Sequence, residues 1–305
     1  FAEANSWNNF SGNLTVKGGS EFQPIRNGAT AMGTGDIILG DVASSGSLSQ
    51  IEGNWTWTND IVLAGSNNKI LNRAAGTDRR LKVQGVISGS GGLTFDDPAV
   101  GMTSPNLGFI LTNTNTMDGT LTIAAGTPVR VGGVPGNVDA GNPGSAAAAF
   151  GTLGAATVVN NGALTFTRTD AHSVANPISG SGALRIGVPA GTVYGGVPID
   201  TSTQVVTYTG TASHTGATTV NSGTLIVASG ASVGGSAVTV AAGATLGGVG
   251  TVAAPVAAPG TIAPGVGGIG SLLVTGDGLV TGTLAIEVDG VNADKLSVAG
   301  SLDLT

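Results

Sequence analysis

At nine places in the chain a glycine is followed by a leucine two residues on and a second apolar residue two beyond that. The pattern Gly-x-Leu-x-apolar begins at Gly12, Gly91, Gly119, Gly162, Gly182, Gly223, Gly270, Gly282 and Gly300. It narrows the possible folds sharply. On an extended strand the leucine and the apolar residue project from one side, and the residue between them from the other. A glycine just ahead permits a tight turn with φ > 0. So short a strand cannot bury its apolar side alone, and the units must stack on one another. Gly162 and Gly182 are 20 residues apart, and Gly282 and Gly300 are 18 apart. That spacing is the size of one turn of a parallel β-helix. A longer phrase also recurs, "ISGSGGLTF" at 87–95 and "ISGSGALRI" at 178–186.

The competing reading is low-complexity linker. The chain holds 53 glycines and 12 prolines in 305 residues, a composition near that of aperiodic disordered sequence. Against it, Val, Ile, Leu and Phe make up about a quarter of the chain, above the level of disordered segments. They fall in alternating runs such as "NLTV", "TLTI", "ALTF" and "TLIV", separated by Gly and Asn, which is how short strands read. A β-sandwich would want longer strands and tighter hairpin turns. The one segment with helical character is "PGSAAAAFGTLG", 143–154, behind a possible Ser145 cap. The sequence therefore predicts an all-β, right-handed parallel β-helix (a β-solenoid) of about 18–20 residues per turn. It would run as one continuous solenoid over 1–305, with loop insertions in the N-terminal part and its most regular repeats over 205–304.

Charge restricts function. Charged residues are 10% of the chain, and the net charge is −7, which argues against nucleic acid as a partner. Residues 201–276 contain no Asp, Glu, Lys or Arg. Thr, Ser, Gly and Pro interrupt every apolar run there, well short of the ~20 residues of a membrane span. There is no cysteine, so disulfides and thiolate metal sites are excluded. The chain begins at Phe1, which implies a removed leader or a piece of a longer protein.

Few residues suggest chemistry. His172 and His214 are 42 residues apart and read best as solvent-exposed polar positions. Asp96 and Asp97 could act as a carboxylate pair only if they lay in a turn, since neighbours on a strand face opposite ways. Asp289, Asp294 and Lys295 read as a solvated loop. The informative cluster is basic. Five of the eleven basic residues fall in one window, Lys69, Arg73, Arg79, Arg80 and Lys82. The segment 66–82 reads as an insert projecting from the solenoid, able to meet an acidic patch on another copy or an anionic glycan. No catalytic residue, cofactor or metal site is expected.

One stretch is more specific. "HTGATTVNSGTLIV", 214–227, resembles the autotransporter-associated β-strand repeat, T-G-x-T-x-[VI]-x-x-G-x-L-x-[VL]. Thr215, Gly216, Thr218, Val220, Gly223, Leu225 and Val227 occupy its defined positions. The segments 246–265 and 270–304 are similar to the region beyond the last repeat in such proteins, whereas 113–123 keeps only the second strand. The resemblance implies a secreted bacterial surface protein on a right-handed parallel β-helix, with no shared catalytic residues. The expectation is an extracellular structural solenoid of a cell surface, fibre or matrix that associates with other copies of itself. An adhesin or passenger stalk binding a glycan or host surface is the alternative, and a polysaccharide-cleaving β-helix is less favoured.

Overall fold

The computed structural model describes residues 11–24, 32–51, 55–73, 80–97, 108–133, 151–194 and 197–305. They form two compact units, one of residues 1–133 and 150–163, the other of 134–149 and 164–305. No helix occurs among the described residues. Of the predicted helical segment, 143–150 lies outside the described residues, and 151–154 is not helical.

In the first unit, short parallel strands stack into three faces. Face A comprises Leu14–Val16, Ile37–Leu39, Ile61–Leu63 and Ile87–Ser88. Face B comprises Glu21–Phe22, Ser47–Gln50, Asn68–Asn72, Leu93–Asp96, Thr120–Ile123 and Thr157–Asn160. Face C comprises Trp55–Trp57, Arg80–Val83, Gly108–Leu111 and Pro128–Val131. From Ile37 to Leu111 the strands visit faces A, B and C in rotation, which is the topology of a parallel β-helix. Register stacks like on like inside. Ile37, Ile61 and Ile87 form one column, and Leu48, Ile70, Phe95 and Ile123 another. Trp57, Val83, Leu111 and Val131 form a third. These side chains are buried, each worth roughly 1.5–3 kcal/mol of transfer free energy. Phe95 and Phe109 meet across the interior with ring centroids 4.7 Å apart.

The second unit repeats this plan more strictly. Face D comprises Ala171–Val174, Val205–Tyr208, Thr224–Val227, Thr245–Gly248, Thr261–Pro264 and Thr283–Leu284. Face E comprises Ser232–Gly234, Thr251–Ala253, Ser271–Val274 and Lys295–Val298. Face F comprises Ala183–Ile186, Thr218–Val220, Val238–Val240, Val256–Ala258, Gly278–Val280 and Leu302–Leu304. Val233, Val252, Val274 and Val298 make one interior column. Val206, Leu225, Leu246, Ile262 and Leu284 make a second. A short antiparallel pair, Val193–Tyr194 with Val197–Pro198, is added outside these ladders.

The period is less uniform than the sequence predicts. From Val205 onward, register partners lie 16 residues apart at the closest (Thr245 with Thr261) and 24 at the widest (Ser271 with Lys295). In the first unit the separation runs from 20 (Phe109 with Val129) to 37 (Thr120 with Thr157). The strands keep their ladder register across these different separations.

Most of the glycines ahead of the repeats do not take the positive φ that their position suggests. Gly223 does take φ +72°, the left-handed region where glycine is favoured. Gly119 does not. A Cβ there would collide with the carbonyl oxygen of Gly91, one turn earlier, and a Cβ at Gly91 would collide with that of Gly65. At this corner, glycine is required by close approach between turns.

Candidate interaction surface

The four described basic residues of the 66–82 window, Lys69, Arg73, Arg80 and Lys82, do not form one projecting patch. Asn68–Asn72 and Arg80–Val83 are ladder strands of faces B and C, paired on both sides. Lys69 is exposed on the outer side of face B. Arg73 makes a two-pronged ion pair with Glu21, Nε to Oε1 and Nη2 to Oε2, both 2.7 Å. The guanidinium holds the Glu21 carboxyl below its ordinary range. Arg80 and Lys82 sit opposite the core-facing Leu81 and Val83, yet they are only 6% and 9% exposed. Arg79 lies outside the described residues.

Sequence reasoning missed a third member of this group. Arg130 occupies the same outer column as Lys82, through Ile110, and is 2% exposed. Burial, and then the charge of Arg80, push its guanidinium down to about 10. Alternation within "PVRV" signals the outward direction, but no local pattern signals the burial.

The remaining candidates resolve into structural parts. His214 is buried, not exposed, because its ring is drawn under the turn before face F. Its Nε2 lies 2.9 Å from the Thr218 hydroxyl, and that hydroxyl donates to the Gly234 carbonyl. His172 is half-buried, its ring centroid 6.0 Å from that of Phe166. Burial holds both imidazoles below their ordinary value. Asp96 ends a face B strand on its outer side. Asp97 is buried, and its carboxylate accepts from Asn72 Nδ2 at 3.1 Å. The two carboxylates therefore do not share a site. Asp294 accepts from the backbone of Gly270 at 2.8 Å and of Glu287 at 3.0 Å. Asp289 accepts from the backbone of Val291 and Asn292. No group of three or more His, Cys, Asp or Glu placed to hold a metal ion occurs among the described residues. No helix among them is long and apolar enough to cross a membrane.

What the second unit offers is surface. Thr224, Thr245, Thr261 and Thr283 stand in one outer column on face D, spaced by the ~4.8 Å of adjacent strands. On face F the outer column runs Thr219, Thr239, Ala257, Leu279. Ten of the eleven large apolar side chains that are exposed among the described residues fall within 249–304. The surface is thus hydroxyl-rich along the strands and apolar towards the last turns. No family model matches the chain, and neither a curated protein nor a solved structure does.

Proposed function

We propose that this chain is an extracellular structural β-solenoid of a bacterial cell surface, fibre or matrix, and that it associates with copies of itself. The observation that carries the reading is the uncharged, in-register outer surface of 201–276. A chain that stacks hydroxyls and methyls in columns, with no Asp, Glu, Lys or Arg across that whole stretch, is built to present flat faces. Membership of the autotransporter-associated repeat family is part of the proposal. It is supported by how the repeat residues are used: Thr218, Val220, Leu225 and Val227 are all core positions of faces F and D.

A second reading, an adhesin or stalk binding a glycan or host surface, is favoured by the threonine column on face D. Regular hydroxyls offer both donors and acceptors to a polyol chain. The two readings separate in negative-stain electron microscopy of the purified chain across its accessible concentration range. Ordered assemblies that grow with concentration are the expected result. Isolated particles at every concentration would overturn self-association and leave the glycan reading to be tested by binding to immobilised polysaccharides.

A further inference from the structure

Six of the ten exposed large apolar side chains described in the second unit gather along one corner, between faces D and E. At the earlier crossing of this corner, 228–231, the sequence is Ala-Ser-Gly-Ala. The next crossings bring Val249, then Val266 and Ile269, then Ile286, Val288 and Val291, with exposures rising from about 40% to 69% at Val288 and 93% at Val291. The ridge is packed against the backbone rather than loose. Val249 lies against Gly270, and Val266 against Gly247. The last crossing is a small hairpin closed by a bridge between Val288 and Ala293. Asp294 ties it to Gly270, and Asp289 fixes its tip. Two valines are thus held largely in water, beside the carboxylates of Glu287 and Asp289.

Among the described residues of the first unit, one large apolar side chain is exposed, and it is built alike. Val42 is fully exposed in the turn 41–44, which Asp41 closes through the backbone of Ala43 and the hydroxyl of Ser44. A charge of the opposite sign stands beside it. Lys17, its side chain 61% exposed, brings Nζ to 3.5 Å from Asp41. Ridge against ridge would bring Glu287 and Asp289 onto their own copies, a like-charge contact that costs free energy. Ridge against the Val42 turn brings apolar to apolar and sets a cation, Lys17, between the carboxylates of Asp41 and Glu287, where ridge against ridge supplies none.

We propose that the 249–291 ridge docks on the Val42 turn of a second copy, with Lys17 of one chain facing Glu287 of the next. Such a contact joins two different surfaces of the chain, the ridge of one copy and the Val42 turn of another. It rests on the self-association proposed above and names the surface responsible.

The test is sedimentation velocity of the full chain as a function of concentration, with circular dichroism confirming β-structure in each variant. Val288→Ser/Val291→Ser, and separately Val42→Ser, should weaken association by about tenfold. Lys17→Glu and Glu287→Lys chains should each associate poorly alone and should associate when mixed, because the introduced carboxylate of one then meets the introduced ammonium of the other. Wild-type association that is unchanged in these variants, or a mixture that fails to recover it, overturns this surface and leaves self-association standing. A wild-type chain that remains monomeric at every concentration overturns both.

Discussion

At the scale of single residues, the most exacting demand is set by the backbone of the neighbouring turn. Gly119→Ala places a methyl group against the Gly91 carbonyl, and neither backbone can yield without breaking the face B ladder. Overpacking of this kind costs about 1–3 kcal/mol and sometimes more, so a urea midpoint well below wild type is expected. His214 sets a pH dependence. Its folded value is depressed by burial, so the unfolded chain takes up the proton more readily than the folded one. The stability is present in full above the unfolded value and is lost as the pH falls from about 6.5 towards the folded value. His172 acts with the same sign. The carboxylates held low by their partners, Glu21 and Asp170, lose their contribution only at more acidic pH. Denaturant midpoints taken between about pH 7.5 and 5.5 should therefore fall, and His214→Gln should flatten the slope. Much of this was not legible in the sequence. "ASHTG" gives no hint that its histidine is buried under a turn. The charges of Arg80 and Lys82 point to exposure, which the structure contradicts.

At the scale of elements, the strands were legible and the corners were not. In each repeat from Gly91 to Gly270 the leucine is buried, because alternation alone decides which side of a short strand faces the core. Turn length was legible only where corners are short, as between Val205 and Thr224. The 37-residue separation of Thr120 and Thr157 hides the same pairing, because the intervening sequence carries no periodic mark. Corners are held by side chains that serve several turns at once. Asn68 is fully buried. It accepts from the Gly46 backbone at 3.0 Å and donates to the carbonyls of Gly65 at 2.6 Å and Gly92 at 3.1 Å, so one amide links three crossings of the same corner. Asn68→Ala leaves those groups short of partners and should cost about 2–4 kcal/mol, read as a shift in thermal or urea unfolding with no change in the far-ultraviolet signature of the folded state.

At the scale of the whole molecule, charge is unevenly distributed. No Lys or Arg occurs between Arg185 and Lys295, so any ionic contact that this stretch makes with another chain must run through its few acids. That is why Glu287 and Asp289 weigh heavily in the proposed contact, and why added salt should weaken association only in part: the apolar ridge persists when the Lys17–Glu287 attraction is screened. Function was the least legible level. A solenoid serves many roles, and the repeat over 214–227 suggests where such a chain belongs more than what it touches.

The regular register of the second unit also governs how the chain can fold. From Val205 onward each strand bonds to partners about one turn earlier and one turn later, so every step of assembly closes a loop of similar, short length. The entropic barrier is then paid in equal small instalments, and folding can travel along the chain from any completed turn. A blocked step in the middle would halt that travelling front, leaving a folded block on one side and an unfolded tail on the other.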